Sequence, residues 1–306
     1  MSMPFYVSPA QVMRDKAEYA RQGIARGRSC VTLQYAGGIL MVAPNPSSAL
    51  HKISEIYDRI AFAAVGRYNE YENLRKAGVT YADITGYQFD RHDVTARGIA
   101  NWYAQTLGTI FTDQLKPFEV EIVVAEVSAT PADDQIYRIT FDGSVTDEPG
   151  FVAFGGQADQ VSAALKERYA DNMSLSEAFA AALAALSAPG NGEYTAAQLE
   201  VAILERDRDH RTFRRIRGPR LEQLLSEARP DPAAGDSADA GAPGSGEDSS
   251  ADPGSGAAAS PGSGPASPTT GSSGPSGSTG PADSDPPTGP APGGSDRGSG
   301  LGGSPL

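Results

Sequence analysis

From Arg229 to Leu306 the chain contains no aromatic residue, no isoleucine, no valine and no lysine. Those 78 residues hold 14 of the chain's 23 prolines and 19 of its 35 glycines. Nine acids against two arginines give the stretch a net charge of −7. Such a segment cannot bury enough apolar surface to offset the entropy of ordering it, so a disordered, acidic Gly/Pro/Ser/Ala-rich tail is expected over 229–306. Folding is confined to the first 228 of 306 residues, enough for one domain with a substantial core.

Several function classes fall away. No apolar run is long enough to span a membrane. The N-terminal stretch carries Arg14, Asp15, Lys16, Glu18 and Arg21 and no apolar core of a secretory signal, so a cytoplasmic protein is expected. One cysteine makes neither an internal disulfide nor a cysteine zinc site. His51, His92 and His210 lie far apart without ligand spacing, so no metal or cofactor is expected. A net charge of −13 argues against nucleic acid as a partner. Arg211, Arg214, Arg215 and Arg217 form the one basic cluster, which reads as a solvated strand edge and turn.

The element pattern is legible in some detail. Ser8 caps a helix with Gln11 as its capping-box partner, and Pro9 suits the first helical position. This helix is expected from about Pro9 to Arg26, stopped by Gly27. Its apolar stripe (Val12, Met13, Ala17, Ala20, Ile24) is modest, which points to packing outside its own domain or across a surface. Strands at Cys30–Tyr35 and Ile39–Ala43 flank the hairpin signal Ala36-Gly37-Gly38. Strands at Ile53–Tyr57 and Ile60–Val65 follow, joined by Asp58-Arg59. One helix starts after Arg67 and runs toward Ile84. A second starts at Asp93 or Thr95, with a wide apolar face from Ile99 to Phe111 that belongs against a sheet.

Val120–Val127 is rich in β-branched residues and reads as a central strand. Ile136–Phe141 leads into Asp142-Gly143, the strongest turn signal, and Phe151–Phe154 ends at Gly155-Gly156. Helices are expected at Gln157–Tyr169 and Ser174–Leu186, the latter with Ser174 and Glu177 as a capping box. Leu199–Arg206 and Thr212–Ile216 form a closing hairpin, and a last helix starts near Pro219. Runs of strands alternating with pairs of helices predict an α+β, four-layer αββα sandwich with an extra N-terminal helix.

The chain resembles the proteasome alpha subunits, most closely their actinobacterial form, over about residues 2–225. The resemblance is carried by Phe5-Tyr6-Val7-Ser8-Pro9, by Glu18-Tyr19-Ala20-Arg21 with Gly27 after it, and by Tyr35-Ala36-Gly37-Gly38. It continues in Lys52-Ile53-Ser54-Glu55-Ile56-Tyr57-Asp58-Arg59, in Tyr103-Ala104-Gln105-Thr106-Leu107-Gly108-Thr109-Ile110-Phe111-Thr112, and in Tyr137-Arg138-Ile139-Thr140-Phe141-Asp142-Gly143. It implies the N-terminal-nucleophile hydrolase fold. The family divides into beta subunits that cut peptides and alpha subunits that do not. A beta subunit needs an N-terminal threonine, whose hydroxyl attacks and whose amine is the base. Here that position falls near Gly27-Arg28, and the acid expected after the second strand is replaced by Pro44. The chain therefore reads as non-catalytic. The alternative is a stand-alone hydrolase autoprocessed so that Cys30 becomes its nucleophile, against the plainer reading of Cys30 as a small apolar strand residue. A scaffold unrelated to proteolysis would explain the missing nucleophile but not the match around Lys52.

The resemblance also implies partners and sites: a seven-membered ring of alpha subunits, beta subunits stacked on it, and an ATPase ring whose C-terminal tails dock between alpha subunits. Lys52 matches the family's pocket lysine, and Glu18 and Gly66 match other pocket positions. Residues 1–8 match the gate segment (Ser2, Met3, Pro4, Phe5, Tyr6, Val7, Ser8), and Pro9 and Tyr19 match the residues that steady its open state. The Tyr-Asp-Arg tripeptide of other gates is absent there, since Tyr57-Asp58-Arg59 lies between strands. The implied substrates are proteins tagged by a ubiquitin-like modifier. The domain reading is 1–8 gate, 9–228 folded domain with 9–26 as its extra helix, and 229–306 tail.

Overall fold

Three separate apolar layers organise the chain in a computed structural model that describes residues 8–229. The elements are α1 (Pro9–Ala25), β1 (Cys30–Tyr35), β2 (Gly38–Pro44), β3 (Ile53–Tyr57), β4 (Ile60–Gly66), α2 (Tyr68–Gln88), α3 (Ala96–Asp113) and β5 (Val120–Glu126). They continue with β6 (Gln135–Ile139), β7 (Val145–Asp147), β8 (Phe151–Phe154), α4 (Ala158–Lys166), α5 (Leu175–Ser187), β9 (Leu199–Glu205), β10 (Phe213–Ile216) and α6 (Pro219–Ala228). One sheet has the order β10-β9-β2-β1-β8 and the other β3-β4-β5-β6-β7. Every pairing is antiparallel.

Strand alternation sends successive residues to opposite faces. Val31 and Leu33 of β1 with Leu40 and Val42 of β2 face α4, α5 and α6, where they meet Val161, Phe179 and Leu224. Cys30, Ile39 and Met41 face the second sheet and meet Ala63, Val65 and Val123. Phe62, Ile122 and Val124 point outward onto Ile99, Tyr103 and Leu107 of α3. The result is the expected αββα sandwich, with β5 central as its composition implied.

Local differences have local causes. Ser8 Oγ accepts from the Gln11 backbone N–H at 3.3 Å, but the Gln11 amide donates to Asp15 Oδ1 at 2.7 Å, so that capping box is half formed. The Ser174–Glu177 box is complete. Gly27 is not in the left-handed conformation expected of a helix stop; its N–H donates to Ile24 O at 2.9 Å after Arg26 ends α1 in a right-handed turn. Helix α2 runs a full turn beyond Ile84. Strand β7 was not foreseen, because its three residues are polar or exposed and sit at the sheet edge. Helix α1 only partly packs outward. Ala20 and Ile24 close the end of the inter-sheet core, while Val12, Met13 and Tyr19 stay exposed. Lys16 fastens α1 to the end of α3 by donating to the carbonyls of Phe111 (3.1 Å), Thr112 (3.3 Å) and Gln114 (2.7 Å). Residues 1–7 and 230–306, which include gate residues Ser2 to Val7 and nearly all of the expected tail, lie outside the described residues. No described helix is long and apolar enough to cross a membrane.

Candidate functional site

The segment joining α1 to β1 meets the start of β3 and the end of β4 at one rim. Antiparallel pairing sets this meeting. Ile53 faces Ala63, and the Ala64 N–H donates to Lys52 O at 3.0 Å, which leaves Gly66 two residues along the neighbouring strand. Gly66 has φ +111°, and a Cβ there would lie 1.9 Å from Glu119 O, so only glycine fits. From this rim Lys52 Nζ donates to Arg28 O at 3.2 Å. Burial holds the Lys52 ammonium below the usual lysine range; Cys30 and Glu200 pull the other way, and Arg28 adds to the lowering. Among the described residues no carboxylate lies within ion-pair distance of it.

Glu200 of β9 governs the backbone beneath Lys52. Its Oε2 accepts from Lys52 N–H (2.9 Å) and Asn45 Nδ2 (2.8 Å), and its Oε1 accepts from Ile53 N–H at 3.3 Å. Arg215 pairs with Glu200 and donates to Ile53 O as well. His51 Nδ1 lies 3.2 Å from Glu200 Oε1. Sequence reasoning missed this cluster. Of the four arginines read as a solvated strand edge and turn, Arg211, Arg214 and Arg217 are exposed on and beside the edge strand β10, and Arg215 is the exception, being largely buried. Arg215 pairs with Glu200, Arg211 with Glu55 at 3.0 Å and Arg214 with Glu205 at 2.8 Å, and Arg217 approaches His51 at 3.4 Å.

The other candidate residues are placed as follows. Glu18 is exposed on α1 and accepts from Gln22 Nε2 at 3.0 Å; no described hydrogen bond or ion pair joins it to Lys52 or Gly66. Pro9 occupies the first turn of α1 behind the Ser8 cap. Tyr19 is half exposed, with Lys116 Nζ 5.7 Å from its ring centre. Lys116 in turn pairs with Glu70 at 2.6 Å and Glu119 at 3.1 Å, and Arg67 reaches Glu119 at 3.3 Å. This cluster ties α1 to the start of α2 and of β5.

Where a nucleophile would stand, the chemistry is unfavourable. Cys30 is fully buried between the sheets, and desolvation pushes its thiol up to about 12. Such a thiol is neutral at physiological pH, and the thiolate is the reactive form. Ser29 uses its hydroxyl to accept from Gln157 N–H at 3.1 Å. Pro44 ends β2 beside Leu199. Among the described residues no group of three His, Cys, Asp or Glu is placed to hold a metal ion.

Comparison with known proteins agrees with the fold. The family described as Proteasome, "Proteasome subunit", matches residues 24–204. The chain is 68% identical over 228 residues to "Proteasome subunit alpha" of Streptosporangium roseum, covering 74% of this chain and 88% of that one. It is 66% identical over 228 residues to the protein of the same name from Thermomonospora curvata, covering 74% and 99%. With that of Thermobifida fusca it shares 65% identity over 231 residues, covering 74% and 92%. The chain thus belongs to the proteasome subunit family, as an alpha subunit.

Proposed function

We propose that the chain is a non-catalytic, cytoplasmic subunit of the outer seven-membered rings of a proteasome core particle. In this reading it gates substrate access to catalytic beta subunits. It also docks the C-terminal tails of an ATPase activator, for degradation of proteins tagged by a ubiquitin-like modifier. Lys52 supplies the cation for the tail's carboxylate, with Gly66 and Glu18 as further pocket residues. The gate is Ser2 to Ser8, steadied from Pro9 and Tyr19.

The observation that carries the docking role is the Lys52 ammonium, which has no carboxylate partner among the described residues. It is drawn to the rim, partly desolvated, and among the described residues its one hydrogen-bond acceptor is the Arg28 carbonyl. A cation in that state gains most from an incoming carboxylate, since charge-assisted hydrogen bonds contribute about 1.5–3 kcal/mol. Several tails on one ring add multivalency, so each pocket needs only modest affinity. The buried, protonated Cys30 supports the non-catalytic reading. Rings need two different faces on each subunit, and the exposed aromatics at the end of α2 suit one of them.

The test uses the particle assembled from this chain and its beta subunits. Peptide cleavage is measured with and without a short peptide that has a penultimate tyrosine and a free C-terminal carboxylate. Lys52→Ala is expected to assemble and to lose the stimulation. Equal stimulation of mutant and wild type would sink the pocket assignment.

A further inference from the structure

The loop that delivers Lys52 has little apolar packing of its own. Pro46, Ser48, Ala49 and Leu50 are exposed. Cavities of about 580 Å³ and about 380 Å³ flank the loop, and His51 and Arg215 line both. Polar contacts hold the loop instead, and they converge on one carboxylate. Glu200 takes the Asn45 side chain at the start of the loop and the N–H groups of Lys52 and Ile53 at its end. Asn45 spreads the constraint inward by donating to Leu50 O at 2.7 Å and accepting from Ser47 N–H at 3.0 Å. Arg215 completes the clamp by bonding Glu200 and Ile53 O together, so both backbone groups of Ile53 are fixed.

We propose that Glu200, clamped by Arg215, is a positioning residue for Lys52. By closing both ends of the 45–53 loop on one carboxylate, it fixes the direction in which the ammonium meets an incoming C-terminal carboxylate. The inference rests on the docking role proposed for Lys52. Stability alone is a poor reason for this pair. Glu200 is only 8% exposed, and buried ion pairs are seldom more stabilising than apolar replacements. What an apolar side chain cannot do is accept several N–H donors from two ends of a loop. The charge of Glu200 has a second effect, since it opposes the loss of the Lys52 proton that burial promotes.

The test is Glu200→Gln in the assembled particle. Glutamine keeps the size and one acceptor oxygen but loses the charge and the second acceptor. Ring formation is read by native mass spectrometry, and docking by the half-maximal concentration of the tyrosine-containing peptide, alongside its C-terminal amide. A second readout separates positioning from bulk structure: the pH at which Lys52 becomes acetylated, with exposed Lys76 as internal reference. The variant is expected to form rings, to need about tenfold more peptide, to discriminate less between carboxylate and amide, and to acetylate at Lys52 at lower pH. A wild-type peptide response and a wild-type Lys52 profile would overturn the proposal.

Lys52→Ala separates the two readings. If it loses stimulation while Glu200→Gln behaves as wild type, the clamp fails alone. If Lys52→Ala itself responds fully, the docking role fails first. Should Glu200→Gln not assemble, Arg215→Lys serves in its place. That variant keeps the charge beside Glu200 but cannot span both Glu200 and Ile53 O. A smaller loss in the same direction is expected, and an unchanged response overturns the clamp.

Discussion

Arg206 and Asp134 join the two sheets through a two-pronged ion pair, with nitrogen–oxygen distances of 2.8 and 2.7 Å. Arg206 follows β9 of one sheet and Asp134 precedes β6 of the other. The Asp134 side chain is fully buried and also accepts from the Ser128 N–H at 2.8 Å. Removing one partner leaves an uncompensated buried charge, which typically costs about 3–5 kcal/mol. Asp134→Ala is therefore expected to lower the melting temperature of the isolated subunit by about 6–20 °C, because ~1 kcal/mol shifts a domain of this size by about 2–4 °C. A melt within about 2 °C of wild type would mean that the pair does not hold the sheets together.

How far the sequence foretold the fold and site follows from what each signal depends on. Strands such as β2 and β5 are buried on both faces, so their continuous apolar runs were visible without any partner. The cap of α5 is complete within four residues and was equally visible. The exposed strand β7 exists only because β6 presents it an edge, so nothing local marks it. The same distance hides the Glu200 cluster. Its carboxylate is 148 residues from the Lys52 N–H it accepts. Within β9 it looks like one of two acids flanking an apolar run. Lys52 and Gly66 were placed by resemblance, and the register of β3 and β4 then brings them close. Glu18 carries the same resemblance but makes no described contact with them.

The lowered proton affinity of Lys52 sets the sign of a pH effect. Docking needs the ammonium, which is present below the group's pKa and lost as pH rises through it. Burial moves that pKa down, so the loss begins below the ordinary lysine range. The half-maximal concentration of the carboxylate peptide should start to rise at a pH below that at which an ordinary lysine titrates, while Lys52→Arg, which stays charged throughout, should remove the rise. An identical rise in the arginine variant would assign the titration to another group.

Tyr87 and Phe89 at the end of α2 are 91% and 73% exposed, two aromatic rings that a neighbouring subunit could cover. Their removal should cost the fold itself little, within about 0.5 kcal/mol for surface sites. The double variant Tyr87→Ser, Phe89→Ser is expected to melt like wild type as a free subunit, yet to yield fewer assembled particles by native mass spectrometry. Full assembly would place the ring contacts elsewhere on the surface.

Cys30 gives the sharpest separation between an alpha subunit and a stand-alone hydrolase. Its thiol is raised from the usual 9.0 to about 12, first by desolvation and then by the charge of Glu200, with Lys52 opposing. A raised acid stabilises the fold fully below its unfolded pKa, and that contribution is lost as pH climbs from about 9 to about 12. Tyr35, also pushed up to about 12 by burial, acts in the same direction. The folded subunit should therefore lose stability in alkali, and Cys30→Ala should move the alkaline midpoint upward. At pH 8 the native thiol should resist disulfide reagents and react only once the chain is denatured. A fast native reaction, together with an intact mass that begins at Cys30, would instead make this residue a liberated nucleophile and the chain itself the enzyme.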